Sequence, residues 1–181
     1  IVPCPVWPNV WETVRIVGGK VKYVLLDFDE TKGFSLDLEK IASAITPKTR
    51  AIYINSPHNP TGCVLSLEEM EHLLKLTRQH GLWLVSDEVY NHFTYSDKIT
   101  PSFLQLSEPN DRLIVTNTFS KNWCMTGWRL GWMIYPQGMQ GVFDNLGQFN
   151  TTSVATFLQY GAIAALDEGD EFIQQFVQRS K

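Results

Sequence analysis

Apolar and polar positions change their period from segment to segment, and those changes lay out an alternation of helices and strands. Val10 to Val17 mixes apolar and charged residues ahead of Gly18-Gly19, the pattern of a helix stopped where left-handed backbone is needed. Lys20 to Phe28 reads as a strand. Ser35 to Ile45 places Leu36, Leu38, Ile41, Ala42 and Ile45 roughly on one helical face, with Pro47 just past its end. Arg50 to Asn55 is a short β-branched strand. Ser66-Leu67-Glu68-Glu69 fits a capping box, and the helix it starts runs to about His80, stopped by Gly81. Leu82 to Ser86 and Leu113 to Thr118 are compact apolar strands, and Trp128 to Tyr135 is another, ended by Pro136. Alanines and large apolar residues at helical spacing from Thr151 to Leu166 predict a helix, with a second over Glu171 to Val177. Strands alternating with helices of this length predict an α/β sheet that is largely parallel.

Composition narrows the partners. The 181 residues are 44% hydrophobic and 19% charged, ordinary for one globular domain with one core. A formal charge of −4 has the wrong sign for a nucleic-acid binder, and no basic run offers a membrane-surface patch, so small molecules are the expected partners. No apolar run approaches the roughly 20 residues that span a bilayer. Cys4, Cys63 and Cys124 are far apart and odd in number, which predicts reduced cysteines in a cytoplasmic protein. The residues from Ile1 onward read like the interior of a domain, and the expectation is a fragment.

In open α/β sheets, ligands collect outside the carboxyl ends of the strands. Three polar clusters fall at such ends: Ser56-Pro57-His58-Asn59-Pro60-Thr61-Gly62, Ser86-Asp87-Glu88-Val89-Tyr90, and Thr118-Phe119-Ser120-Lys121. Each has a plain reading alone. Asn-Pro-Thr-Gly is a turn, Asp87 a helix cap, Lys121 a solvated lysine. His58 lacks partners at metal-ligand spacing and reads as a loop histidine, and Cys124 as a small packing residue. Together the clusters match what pyridoxal phosphate requires: a lysine to hold it as a Schiff base, an acid for its pyridine nitrogen, and donors for its ring hydroxyl and phosphate. Asp87 would keep that nitrogen protonated by charge attraction, and Tyr90 would turn its hydroxyl toward the same ring.

The run Thr118-Phe119-Ser120-Lys121-Asn122-Trp123-Cys124-Met125-Thr126-Gly127-Trp128-Arg129-Leu130-Gly131 resembles the lysine signature of class I aminotransferases, the aspartate aminotransferase superfamily. The resemblance covers nearly the whole chain. It implies the large domain of a type I pyridoxal-phosphate enzyme, a mostly parallel sheet with helices on both faces, occupying residues 1–181. By resemblance, Lys121 holds the cofactor and carries protons as general base and acid. Arg129 resembles the phosphate-binding arginine, with Ser120 and Thr118 as flanking hydroxyls; many relatives have Ser where Thr118 stands. Asn59 and Tyr90 resemble the pair that hydrogen-bonds the ring hydroxyl. Trp7 resembles the aromatic residue that stacks on the ring, beside the plainer reading of a packing tryptophan.

The family also has a phosphate loop and a substrate-carboxylate arginine in a small domain. The resemblance places these before and after this segment, so 181 residues would be about half of an enzyme. It further implies a homodimer with the site at the subunit interface. The favoured activity is transfer of an amino group from an amino acid to a 2-oxo acid. A carbon–sulfur lyase or synthase of the same fold, and a non-catalytic effector fragment, are the rival readings. Tyr90 tells against the lyases, which often have His there.

Overall fold

In the computed structural model, which describes residues 1–95 and 99–181, strand β1 (Val2–Cys4) leads to helix α1 (Asn9–Ile16) and strand β2 (Tyr23–Leu25). β2 lies parallel to β1, with Cys4 opposite Leu25. The single strand expected over Lys20 to Phe28 is broken at Leu26. There the pairing with β1 ends on a bond from Leu26 N–H to Cys4 O, and the chain turns into a hairpin of β3 (Asp27–Asp29) and β4 (Gly33–Ser35). Asp29 causes the turn: its carboxylate accepts from the N–H groups of Thr31 and Lys32. Ser35 is therefore strand, and helix α2 (Leu38–Ser43) is shorter than the apolar spacing predicts. It starts after Asp37, whose carboxylate accepts from Glu39 N and Lys40 N.

Next come β5 (Ala51–Asn55), α3 (Leu67–His80), β6 (Trp83–Asp87), β7 (Leu113–Thr118), the short α4 (Phe119–Asn122) and β8 (Gly131–Ile134). The capping box at Ser66 and Glu69 forms as predicted, and Gly81 ends α3 at φ 61°, where a side chain would be strained. The strands make one sheet in the order β5-β6-β7-β8, the first three parallel and β8 antiparallel. Ile1 joins β1 to the free side of β5, donating to Ala51 O at 2.8 Å and accepting from Tyr53 N at 3.0 Å. β8 starts later than expected because Thr126–Trp128 is a 3-10 turn and Arg129 has φ 54°, neither compatible with a strand.

Three helices close the described chain: α5 (Gln140–Asn150), α6 (Thr156–Glu168) and α7 (Asp170–Arg179). α6 begins five residues later than its apolar pattern suggests. α5 has no sequence expectation to meet; it contains Gly141 and Gly147 and buries none of its residues.

The core lies between the sheet and the helices α2 and α3. Ile41, Ile52, Met70, Leu73, Leu84 and Phe103 are fully buried there, each stabilising the fold by roughly 1.5–3 kcal/mol. Alternation along the strands puts Ile52, Ile54, Leu84 and Val115 on this face, and Tyr53, Val85, Asp87 and Thr116 on the other, where they are half-buried. Register fixes the polar ends: Asn55 is opposite Asp87, and Asp87 is opposite Thr116. The three polar clusters thus share one end of the sheet.

Candidate functional site

The site is built outward from Asn55, the last residue of β5, which is only 6% exposed. Its Nδ2 donates to the backbone carbonyl of Asp87 at 2.9 Å, and its Oδ1 accepts from Asn59 N–H at 2.7 Å. Only one orientation of the amide serves both partners. Ser56 N–H also donates to Asp87 O, and the buried Ser56 Oγ accepts from Leu65 N–H at 3.0 Å, closing the loop that carries Asn59. Within the loop His58 N–H donates to Cys63 O and Gly62 N–H to His58 O, while His58 Nδ1 lies 2.8 Å from Thr61 Oγ1. Burial lowers the His58 pKa to about 4, so the ring is neutral at ordinary pH and serves the loop as a hydrogen-bonding wedge.

Asp87, at the end of β6, accepts from Tyr53 Oη on Oδ2 at 2.7 Å and from Val89 N–H on Oδ1 at 3.3 Å. Burial raises its pKa above the ordinary carboxylate value, and the hydrogen bonds from Tyr53 and Val89 and the nearby charge of Lys121 oppose that rise. The neighbouring Glu88 turns the other way, into the core. Its Oε1 accepts from Ser86 Oγ at 3.0 Å and Phe103 N–H at 3.2 Å, and burial again raises its pKa first of all.

Tyr90 and Asn59 meet, with Asn59 Nδ2 donating to Tyr90 Oη at 3.2 Å. Lys121 Nζ sits 5.6 Å from the centre of the Tyr90 ring, within cation–π range. A cleft of about 730 Å³ opens beside the pair, lined among others by Pro57, His58, Phe93 and Thr100. Asn59, Tyr90, Lys121 and Asp87, four residues predicted to act together, are thus brought together.

The hydroxyl pair is engaged locally. Thr118 caps α4, its Oγ1 accepting from Ser120 N–H at 3.1 Å and lying 3.0 Å from both Ser120 Oγ and Leu130 O. Arg129 is exposed, with Nη1 donating to Thr126 O at 3.0 Å. Gly131 opposite Thr118 holds Arg129 at this same end of the sheet. A side chain at Gly131 would come within 2.6 Å of Asn117 O, so the strands approach this closely only over glycine. Trp7, 55% exposed, lies in the loop between β1 and α1, beyond the carboxyl end of β1.

Sequence reasoning passed over Tyr53, Asn55 and a pair of asparagines. The fully buried Asn122 donates through Nδ2 to Asn91 Oδ1 at 2.7 Å, tying the residue after Lys121 to the residue after Tyr90. An Asn at a strand's end and an Asn beside each candidate residue were the signals available. Tyr53 gave none, since tyrosine is an ordinary strand residue.

A largely parallel α/β sheet with acid, amide, phenol and amine gathered beyond its carboxyl ends belongs to the class of open α/β folds whose ligand crevices form at that end. The particular family follows from comparison with known proteins. The family described as aminotransferase class I and II matches residues 1–181, and the chain belongs to it. A probable aspartate/prephenate aminotransferase of Aquifex aeolicus is 38% identical over 167 residues, covering 92% of this chain and 42% of the relative. An aspartate aminotransferase of Bacillus subtilis is 37% identical over 176 residues, covering 97% and 44% respectively. The structure of N-succinyldiaminopimelate aminotransferase from Mycobacterium tuberculosis superposes with a TM-score of 0.90 at 28% identity, covering 98% of this chain and 46% of that one. The chain spans less than half the length of each of these relatives.

Proposed function

We propose that this chain is the pyridoxal-phosphate-binding large domain of an aminotransferase that moves an amino group from an amino acid to a 2-oxo acid. The convergence of Lys121, Asp87, Asn59 and Tyr90 carries the reading, because it supplies an amine, a half-buried acid and a paired amide and phenol in one place. This donor set fits the cofactor: Asp87 would face its pyridine nitrogen, and Asn59 and Tyr90 its ring hydroxyl. Arg129, Ser120 and Thr118 would hold its phosphate, and Trp7 would cover its ring. When bound, the cofactor serves as an electron sink for the substrate α-carbon. Lys121 is the attachment point and the base that moves the α-proton, and Asp87 supplies the countercharge.

Supporting the same reading, family membership extends over every residue, and the named relatives are aminotransferases. The parent protein in this reading is a cytoplasmic homodimer. Gel filtration of the full-length protein giving only an active monomer would reject the dimer. For the activity, the full-length protein is given pyridoxal phosphate and a panel of amino acids with 2-oxoglutarate. Amino transfer and a lysine-linked cofactor absorbance are expected, and both are lost in Lys121→Ala. A Lys121→Ala protein that still holds the cofactor through a borohydride-reducible bond overturns the assignment.

A further inference from the structure

Tyr53 lies on the strand beside the acid, not on any of the three loops that carry the candidate site. It is the third residue of β5 and shares a sheet face with Asp87, because Tyr53 is opposite Val85 and Asn55 is opposite Asp87. From this diagonal position the phenol extends toward the end of the sheet and places Oη 2.7 Å from Asp87 Oδ2. Val89 N–H takes the other oxygen at 3.3 Å. The carboxylate is therefore gripped from both sides, and its rotation about the Cβ–Cγ bond is fixed. Burial and the charge of Asp87 raise the Tyr53 pKa far above the ordinary phenol value, so Tyr53 stays protonated and can act only as donor toward this acid.

We propose that Tyr53 is a positioning residue that orients Asp87 and keeps it ionised for the cofactor's pyridine nitrogen. A buried carboxylate with one oxygen unpaired would tend to take up a proton, and a protonated Asp87 supplies no countercharge. Hydrogen bonds to charged groups are the strong ones, and this one is short. Its loss leaves Asp87 Oδ2 half-buried and without that donor. The inference rests on the reading of Asp87 given under Proposed function.

The test uses the full-length protein and four variants: Tyr53→Phe, Tyr53→Leu, Asp87→Asn and Tyr53→Phe with Asp87→Asn. Two quantities are read: the dissociation constant for pyridoxal phosphate, from quenching of tryptophan fluorescence, and the pH midpoint of the bound cofactor's visible absorbance. Tyr53→Phe is expected to weaken cofactor binding by about tenfold. It should also move the midpoint in the direction taken by Asp87→Asn, by a smaller amount. Tyr53→Leu should match Tyr53→Phe, and Tyr53→Phe should add nothing once Asp87 is Asn. If Asp87→Asn alters both quantities while Tyr53→Phe alters neither, the role of Tyr53 is refuted and the reading of Asp87 stands. An equal effect of Tyr53→Phe with and without Asp87 also refutes it, since the phenol would then act through packing. If Asp87→Asn alters neither quantity, the reading of Asp87 fails and this inference with it.

Discussion

Replacing Asn55 with alanine tests how far the candidate site depends on one buried amide. The substitution removes the acceptor from Asn59 N–H and one of the donors to Asp87 O. The two partners are not left alike. Asp87 O keeps the bond from Ser56 N–H, while Asn59 N–H is left half-buried with no acceptor in its place. A net hydrogen bond is worth roughly 0.5–1.5 kcal/mol and an orphaned buried group costs about 1–3 kcal/mol, so the expected destabilisation is about 2–4 kcal/mol. The same change frees the loop bearing Asn59 from the strand bearing Asp87, so cofactor affinity should fall together with stability. Urea unfolding of the full-length protein gives the first quantity, and titration with pyridoxal phosphate the second. Asn55→Asp sharpens the test: it keeps the acceptor for Asn59 but sets an oxygen against the carbonyl oxygen of Asp87. At neutral pH it should be no better than alanine. An unchanged unfolding midpoint in Asn55→Ala, or wild-type behaviour of Asn55→Asp at neutral pH, would show that the amide does not tie the two loops.

Two further changes probe the frame of the site. Glu88 is buried and its folded pKa is raised, so its protonated form is favoured by folding. The stability it contributes is fully present below the unfolded carboxylate value and is lost as pH rises through the folded one. Glu88→Gln, which cannot ionise, should therefore be as stable as or more stable than the parent at neutral pH, by about 1 kcal/mol. That advantage should vanish in acid, as pH-dependent urea unfolding would reveal; an advantage that grows as pH falls contradicts the argument. Gly131→Ala puts a methyl 2.6 Å from Asn117 O, a contact relieved only by parting β7 from β8. A loss of about 1–3 kcal/mol is expected, with weaker cofactor binding because Lys121 sits in α4, the short helix that follows β7; calorimetry and the same titration measure both.

Asp87 and Lys121 were legible in the sequence because each stands at or just past the end of a bounded apolar strand, and strand ends in a parallel sheet converge whatever the loops do. The capping box and Gly81 were legible for a similar reason: their physics is contained within four residues. What escaped depends on contacts between distant segments. Leu38, Ile41, Ala42 and Ile45 lie at helical spacing and Leu36 extends the apolar run before them, but a turn seeded by Asp29 recruits Ser35 into a hairpin, and the helix must start after Asp37. Trp128 belongs to an apolar run that reads as strand, yet Arg129 takes a left-handed turn before the strand can begin. Tyr53 looks like any strand tyrosine until the register with β6 brings Asp87 within its reach. Its role is a property of the pairing, and pairing is not written in one segment.

The arrangement also explains why the polar residues sit beside a well-packed core without disrupting it. Along β6 the alternation sends Leu84 and Ser86 to the core face, and Val85 and Asp87 to the other. Glu88 is one step further, and the same alternation drives its carboxyl group into the core. There Ser86 Oγ and Phe103 N–H receive it, so the chain accommodates two adjacent acids on opposite faces. Asp87 is left on the face with Tyr53 and Lys121, where an ionised form can be held. Two neighbouring acidic residues thus acquire different work through strand geometry alone: Glu88 braces the 3-10 turn of Phe103–Gln105 that fills the core, and Asp87 faces the end of the sheet where the polar clusters gather. Exchanging their roles would require shifting β6 by one residue against both neighbours. That would turn Leu84 out of the core, which is why the acid's position is as firmly set as the core itself.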